Sequence, residues 1–176
     1  MDILIPAERI AERVGELAKH IQADYEGRPV TVVGVLTGCL LFLADLIRRV
    51  DLPIRVVLLQ ASSYRGNATT SGELRLTIDP TLDVKGRELL VLDDILDTGK
   101  TLGQLTRRLR DLGAASVRSG VLLRKIGRQT VEFEPDYVGF EIPDVFVVGY
   151  GLDYNDHYRH LPYIGAVTES DLLTSG

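Results

Sequence analysis

The sequence predicts one α/β domain, residues 1–176, with a central, mostly parallel sheet flanked by helices. Short apolar runs rich in β-branched residues alternate with amphipathic segments, which is the pattern of parallel strands joined by crossover helices. The chain has 176 residues, of which 45% are hydrophobic, enough for one proper core. Its formal net charge of −5 argues against nucleic-acid binding driven by bulk electrostatics.

The chain begins with an amphipathic helix and continues with a strand–helix–strand unit. Residues 6–25 are predicted to be the helix, because apolar residues recur on one face: Ile10, Val14, Leu17, Ala18 and Ile21. Residues 30–36 are apolar and β-branched, as central strands are. Residues 39–50 are predicted to be a helix, and residues 54–60 the next strand.

Residues 61–72, ASSYRGNATTSG, form a polar segment without hydrophobic periodicity. Structureless segments of about a dozen residues are uncommon in compact domains and often act as lids. A flexible hairpin tip fits equally well, because residues 73–78 look like a return strand. Both interpretations fit the residues.

Residues 88–102, ELLVLDDILDTGKTL, form the third strand–helix unit. The apolar run that ends at Leu92 is typical of a strand buried on both faces. A helical pattern starts after the turn at residues 97–101, with Leu102, Leu105, Leu109 and Leu112. A helix that begins just after such a turn offers unpaired N–H groups to a phosphate.

The last third is predicted to be short strands around a polar, aromatic loop. Strands are expected at 116–123, 137–140, 145–148 and 164–167, with the loop at 149–160 and a short helical turn in the tail after residue 168. We expect residues 126–176, with the N-terminal segment, to form a small cap on a core of about residues 28–125.

The composition fits a cytoplasmic protein. A single cysteine, Cys39, excludes an intramolecular disulfide framework and suits a reducing compartment. The N-terminus lacks the pattern of a signal peptide, and no apolar run approaches the roughly 20 residues of a membrane span. Cys39 itself fits a packing residue better than a nucleophile at a helix start.

Three features follow predicted strands directly: the turn at Leu36, Thr37 and Gly38, the acids after Leu92, and Lys125. In an open parallel sheet, ligands bind outside the carboxyl ends of the strands, where the strand order reverses. We therefore expect one cleft that contains a phosphate-binding turn, an acidic cluster and a lysine.

The acids allow more than one interpretation. Strand alternation predicts that Asp93 and Asp94 point to opposite faces, and they could hold hydroxyls or Mg²⁺ or simply cap the adjoining turn. Asp97 fits an N-cap or turn residue, and equally a base or acid near the ligand. The turn at 98–101 lacks the P-loop glycines, and no histidine or serine pattern supports a zinc site or an acyl-transfer hydrolase.

Four segments carry a resemblance to a known family. VLDDILDTGKTL resembles the phosphoribosyl pyrophosphate motif of type I phosphoribosyltransferases. VGVLTGCLLFLADL, SSYRGNATTSGELRL and DYVGFEIPDVFVVGYGLDYNDHYRHLPYIG resemble the hypoxanthine-guanine phosphoribosyltransferases within that group. The resemblance covers about residues 30–167 and implies the type I phosphoribosyltransferase fold, with a hood-like cap and a flexible lid loop.

The family's reaction is a pentosyl transfer of purine salvage. Phosphoribosyl pyrophosphate and a 6-oxopurine, hypoxanthine or guanine, give IMP or GMP and pyrophosphate, with Mg²⁺. The resemblance implies these two small molecules as partners, no nucleic acid or membrane, and a homodimer or homotetramer.

The resemblance also implies a role for each residue of the sugar-phosphate motif. Asp93 and Asp94 would hold the ribose hydroxyls. Asp97 would lie near purine N7 as the general base or acid. The 5′-phosphate would be bound by the turn that contains Asp97, Thr98, Gly99, Lys100 and Thr101.

The base, metal and pyrophosphate contacts would come from other segments. Lys125 would donate to the 6-oxo group, Phe146 would stack on the base, and Val147 would offer backbone contacts. Asp153 would line the purine pocket and bind Mg²⁺. The pyrophosphate would be bound by Leu36, Thr37 and Gly38, where the family commonly has a non-proline cis peptide, and by Arg159.

The lid would carry Ser63 and Tyr64. The departures from the family lie in the pyrophosphate turn, since many relatives have Lys at the position of Thr37 and a small residue at that of Cys39. Three alternatives stand beside the salvage enzyme: a phosphoribosyltransferase for another base, an RNA-binding regulator with the same fold, and a catalytically idle protein.

Overall fold

The computed structural model describes residues 1–62, 75–76, 82–168 and 171. Its strands are β1 (Asp2–Ile5), β2 (Val30–Leu36), β3 (Ile54–Ser62), β4 (Arg75–Leu76), β5 (Glu88–Leu96), β6 (Ser116–Lys125), β7 (Tyr137–Ile142), β8 (Val147–Val148) and β9 (Ile164–Ala166). Its helices are α1 (Ala7–Tyr25), α2 (Leu40–Ile47) and α3 (Lys100–Asp111).

The main sheet has the strand order β4-β3-β2-β5-β6-β7. Strands β3, β2, β5, β6 and β7 are parallel, and β4 pairs antiparallel with β3 at the edge. This confirms the prediction of a mostly parallel sheet flanked by helices. The chain runs outward from β2 to β3 and then resumes at β5 on the other side of β2, so the strand order reverses between β2 and β5.

Side-chain alternation along the strands divides the core into two hydrophobic clusters. Helices α1 and α2 pack on one face of the sheet, against residues that include Val30, Val32, Leu90 and Leu92. Helix α3 packs on the other face, against residues that include Val33, Val35, Leu89 and Val91. Both faces of β2 and β5 are therefore covered, which explains why the central residues of these strands are mostly apolar.

A second, antiparallel sheet has the order β1-β9-β8. The sequence predicted a strand near β8 and β9 but none at β1, which has only four residues and pairs with a strand more than 150 residues later. Hydrophobic periodicity is a local pattern, so it cannot predict a strand that is formed by pairing with such a distant segment. The pairing attaches the N-terminal segment to the last third of the chain.

Several boundaries differ from the prediction. Helix α2 ends at Ile47, three residues before the predicted end. Strand β5 continues through the acids to Leu96, because β6 offers it partners up to Arg124. The predicted strand at 145–148 is confined to Val147–Val148. The predicted lid residues Ser63 and Tyr64 lie outside the described residues, as does most of the tail after residue 168.

Candidate active site

The carboxyl ends of β2, β5 and β6 meet at the edge where the strand order reverses. A cleft of about 250 Å³ opens there, lined by Asp94, Ile95, Asp97, Lys125, Phe146, Val147, Leu152 and Asp153. Six of these eight side chains were proposed from the sequence as site residues. The structure therefore brings the acidic motif, the lysine and the predicted base-stacking residue to one place.

The acid pair is held by the backbone of its own strand. The N–H of Asp94 donates to Asp93 Oδ1 at 2.9 Å, and the N–H of Ile95 donates to Asp94 Oδ1 at 2.7 Å. Burial raises the pKa of Asp93 well above its ordinary value, and the neighbouring Asp94 charge raises it further. Burial also raises the pKa of Asp94. Two adjacent carboxylates with raised pKa values, Asp93 buried and Asp94 half-buried, favour a ligand that brings hydrogen-bond donors, such as a diol.

Two glycines allow the turn after β2 to approach the acids and the loop after β8. The Leu36–Thr37 peptide is cis. A Cβ atom on Gly38 would lie 1.6 Å from Asp94 Oδ2, so no larger residue fits without moving that carboxylate. A Cβ atom on Gly151, whose φ is +102°, would lie 2.1 Å from the Gly38 carbonyl oxygen. The three segments are therefore in direct contact.

The turn between β5 and α3 ends in a left-handed residue, Gly99, with φ at +85°. The Thr98 carbonyl accepts a hydrogen bond from the N–H of Thr130 at 3.0 Å, so the neighbouring connection supports the turn. The first N–H groups of an α-helix have no partners within the helix. The start of α3 thus offers donors and partial positive charge to an anion beside the acids.

Asp97 forms an ion pair that the sequence did not reveal. Arg128 Nε lies 2.9 Å from Asp97 Oδ1 and 3.7 Å from Asp144 Oδ1. Lys125 Nζ lies 3.5 Å from the same Asp144 oxygen. Arg128 lies in a charged segment and Asp144 in a predicted turn, where most charged side chains are solvated. The sequence offered one indication of a role: Arg128 lies close to Lys125, and Asp144 close to Phe146, in the chain.

The opposite wall of the cleft is aromatic. Phe146 is 44% exposed, which is unusual for a large apolar side chain next to buried strands. Its ring lies 5.7 Å from that of Tyr154 in an edge-to-face arrangement. Val147 follows in β8, directly beside the cleft. An exposed ring face above a polar floor suits a flat, polar aromatic ligand.

The loop after β8 positions Asp153 and Arg159. Arg159 Nη1 donates to the Gly151 carbonyl at 2.8 Å, and Nη2 lies 3.0 Å from Asp153 Oδ1. The N–H of Asp156 donates to Asp153 Oδ2 at 2.8 Å. The Arg159 charge also reaches Asp94, where it partly opposes the rise of that pKa. Arg159 is therefore placed between the acid pair and the base side of the cleft.

The donor set fits Mg²⁺ in one specific way. In the described part of the chain, no group of three or more His, Cys, Asp or Glu side chains lies close enough together to hold a metal. Mg²⁺ commonly takes one or two carboxylates and completes its shell with waters and substrate phosphates. Asp153, a carboxylate at the cleft beside a cationic side chain, fits that arrangement.

Cys39 does not act as a nucleophile. It is fully buried under the turn after β2, and burial raises the pKa of its thiol to about 12. A thiol in that state is protonated at neutral pH and packs as a small apolar side chain. Among the described helices, none is both long and apolar enough to cross a membrane.

Known proteins share both the sequence and the fold. Residues 2–155 match the profile of the family described as phosphoribosyl transferase domain. A hypoxanthine-guanine phosphoribosyltransferase of Lactococcus lactis is 43% identical over 165 residues, which are 94% of this chain and 90% of that protein. The bifunctional protein TilS/HprT of Listeria monocytogenes is 44% identical over 163 residues. This chain spans only about a quarter, 25%, of that longer relative.

Two solved structures are similar over nearly the whole chain. A Bacillus anthracis hypoxanthine-guanine phosphoribosyltransferase superposes with a TM-score of 0.88 at 38% identity, covering 96% of this chain and 99% of that one. A Trypanosoma cruzi hypoxanthine phosphoribosyltransferase, in a ternary complex with substrates, superposes with a TM-score of 0.90 at 36% identity. The aligned region covers 98% of this chain and 97% of the Trypanosoma cruzi chain.

Proposed function

This chain belongs to the phosphoribosyltransferase family, and we propose that it is a hypoxanthine-guanine phosphoribosyltransferase of purine salvage. It transfers the 5-phosphoribosyl group from phosphoribosyl pyrophosphate to hypoxanthine or guanine and releases pyrophosphate. The observation that carries the proposal is the cleft itself. There Lys125 and the exposed Phe146 lie in one space with Asp94 and Asp97.

The sugar-phosphate half of the substrate would bind to the β5–α3 segment. The 5′-phosphate would be held by the N–H groups and hydroxyls of the turn at residues 97–101, where the helix start favours an anion. The ribose hydroxyls would donate to Asp93 and Asp94. This offsets the free energy lost by burying two adjacent carboxylates and explains why a site would retain them.

The purine would bind between Phe146 and the end of β6. The Phe146 ring would stack on the base, and Val147 would offer backbone groups to its edge. Lys125 is a donor only, so it suits the acceptor oxygen of a 6-oxopurine. An adenine amino group offers no acceptor to Lys125, so adenine gains no hydrogen bond from the ammonium, which selects against adenine.

Asp97 would move the proton. Purine N7 or N9 must lose a proton as the bond to ribose C1′ forms, and a carboxylate at the base side of the cleft can accept it. The displacement passes through an oxocarbenium-like state, in which positive charge develops on the ribose ring. The Asp93–Asp94 pair lies where that charge develops.

Pyrophosphate departure needs positive charge on the other side of the ribose. We place Leu36, Thr37, Gly38 and Arg159 around the leaving group, in agreement with the contact between Gly38 and Gly151. Arg159 offers charge-assisted hydrogen bonds to phosphate oxygens. Asp153 would hold Mg²⁺ through its carboxylate, and the ion would neutralise charge on the pyrophosphate.

The remaining parts of the proposal rest on the sequence and the fold together. The division into a core of residues 28–125 and a cap is supported by the second sheet, which joins β1 to β8 and β9. The lid role of Ser63 and Tyr64, a cytoplasmic location and a homodimer or homotetramer stay predictions from the family resemblance. The acidic net charge of −5 favours a small-molecule enzyme over an RNA-binding regulator.

A pyrophosphate-release assay tests the function directly. The purified chain is given phosphoribosyl pyrophosphate and Mg²⁺ with hypoxanthine, guanine, xanthine, adenine, uracil or orotate in turn. We expect release with hypoxanthine and guanine, and little or none with adenine, uracil and orotate. Release with uracil or orotate alone would assign a different base. No release with any base, together with filter retention of RNA, would favour the regulator.

A further inference from the structure

We propose that purine binding switches ion-pair partners among four charged side chains at the base side of the cleft. On binding, Asp144 gives up Lys125 and keeps Arg128 as its partner, and this exchange frees Asp97. The inference rests on the proposed function, since it concerns how the 6-oxopurine gains access to its two recognition groups. We call the set the four-residue network: Lys125, Asp144, Arg128 and Asp97.

Both groups that the purine needs are occupied before it arrives. The donor of Lys125 is directed at Asp144, at 3.5 Å, and Asp97 accepts from Arg128, at 2.9 Å. The hydrogen bond from Arg128 Nε holds the Asp97 carboxylate toward the guanidinium. In this proposal Asp97 leaves Arg128 before it contacts the purine N–H.

Asp144 makes that release possible. Its Oδ1 atom lies within reach of both cations, 3.5 Å from Lys125 Nζ and 3.7 Å from Arg128 Nε. When Lys125 donates to the 6-oxo oxygen of the purine, Asp144 loses Lys125 as a partner. When the purine N–H donates to Asp97, Arg128 loses Asp97 as a partner. The two released groups are already neighbours. They already pair at 3.7 Å, so this ion pair persists while the Lys125–Asp144 and Arg128–Asp97 pairs are lost.

The exposures of the four groups suit a reversible exchange. Asp97, Asp144 and Arg128 are 39%, 51% and 46% exposed, so their pairs are weak and break easily in water. The carboxylates of Asp97 and Asp144 both raise the pKa of Arg128, which is consistent with a guanidinium shared between them. Lys125 is only 13% exposed, so its ammonium needs an acceptor in either state.

The exchange couples recognition to catalysis. A base with a 6-oxo group withdraws Lys125 from Asp144 and so prepares the acceptor for Arg128. A base without that oxygen leaves Lys125 paired with Asp144. Asp144 is then a poorer acceptor for Arg128, so Arg128 releases Asp97 less readily. Arg128 and Asp144 are thus positioning residues for Asp97 and do not contact the reacting atoms.

A suppressor experiment tests the exchange, with kcat/KM for hypoxanthine measured at saturating phosphoribosyl pyrophosphate. In Asp144→Asn, Arg128 keeps Asp97 and has no second acceptor, so we expect kcat/KM to fall about fivefold, the upper range for an exposed ion pair. Adding Arg128→Gln frees Asp97 permanently. We expect this double variant to recover at least threefold over Asp144→Asn.

A matched control removes an ion-paired arginine elsewhere. Arg87 pairs with Asp83 far from the cleft, so Asp144→Asn with Arg87→Gln should stay as slow as Asp144→Asn alone. If Arg128→Gln gives no recovery while the wild-type chain is active, the exchange is wrong and the proposed function stands. If the wild-type chain transfers no phosphoribosyl group to any base, the function fails and the exchange fails with it.

Discussion

The carboxylates on the two sides of the cleft are held in opposite ways. On the sugar-phosphate side, Asp93 is buried and Asp94 is half-buried, and both accept hydrogen bonds from backbone N–H groups. Neither forms an ion pair within 4.0 Å to any residue that the structure describes. On the base side, Asp97 and Asp144 are 39% and 51% exposed, and Asp97, Asp144 and Asp153 each pair with a cationic side chain.

The difference separates a preset region from an adjustable one. The backbone of β5 holds the acid pair in place, and the desolvation of these carboxylates lowers the free energy of unfolding. Exposed ion pairs contribute little stability and can be exchanged at small cost. Under the proposed function, the carboxylates of the sugar-phosphate side stay in place during binding, and those of the base side change their ion-pair partners. The predictions below test this contrast, beginning with the largest effect.

Asp97→Ala tests whether the base side supplies the proton acceptor. We expect kcat to fall about 10²-fold or more, the usual scale for loss of a general acid or base. The KM for phosphoribosyl pyrophosphate should change little, because the turn still binds the phosphate through its backbone. Steady-state kinetics with hypoxanthine measures both. Turnover at the wild-type rate would rule out the proton-transfer role.

Gly38→Ala tests the rigidity of the sugar-phosphate side. The added Cβ would meet Asp94 Oδ2 at 1.6 Å, so that carboxylate must rotate away from its position. We expect kcat/KM for phosphoribosyl pyrophosphate to fall about tenfold or more, since a misplaced polar group costs roughly the 1.5–3 kcal/mol of a charged hydrogen bond.

The matched control for that glycine is Gly15→Ala in α1, where a Cβ meets no atom within 4 Å. It should leave the kinetics unchanged and raise the free energy of unfolding by up to about 1 kcal/mol, because alanine favours a helix. Equal kinetics for the two variants would show that the acid pair tolerates displacement.

Lys125→Ala tests base selection. Losing the ammonium removes the donor for the 6-oxo oxygen and also the partner of Asp144. We expect the ratio of kcat/KM for hypoxanthine to that for adenine to fall about tenfold, within the range of one charged hydrogen bond. Lys19→Ala, on the exposed face of α1, is the control and should keep the wild-type ratio. A variant with full discrimination would mean that another group recognises the base.

Asp93→Asn tests the stability cost of the preset side. The folded-state pKa of Asp93 is raised, so the wild-type chain loses stability as pH rises above the unfolded value of about 4 and through the folded value. We expect Asp93→Asn to increase the free energy of unfolding at pH 7 by about 1 kcal/mol, with a smaller gain at pH 4.

Urea unfolding at the two pH values measures that difference, and the exposed Asp51→Asn serves as the control. Asp93→Asn should also bind phosphoribosyl pyrophosphate more weakly than the wild-type chain. If Asp93→Asn is less stable than the wild-type chain at pH 7, then ionised Asp93 stabilises the fold and the contrast between the two sides fails.

Most of the main sheet could be predicted from the sequence, because its elements have strong local patterns. The strand bounds at 30–36 and the leucine spacing of α3 need no knowledge of distant residues. Boundaries failed where a neighbour decided them: β5 continues past the acids because β6 pairs with it as far as Arg124. Strand β1 was missed because its partner among the described strands, β9, is near the other end of the chain.

The sequence by itself determined the sugar-phosphate motif, since acids, turn and helix start are contiguous and their chemistry depends on short-range geometry. It also placed Lys125 in the predicted cleft, and the family resemblance added Phe146. Only the tertiary structure decided which charges meet. Arg128 and Asp97 are 31 residues apart, and Gly38 and Asp94 are on different strand ends. Local sequence patterns carry no information on such distances, because sheet order and loop packing set them.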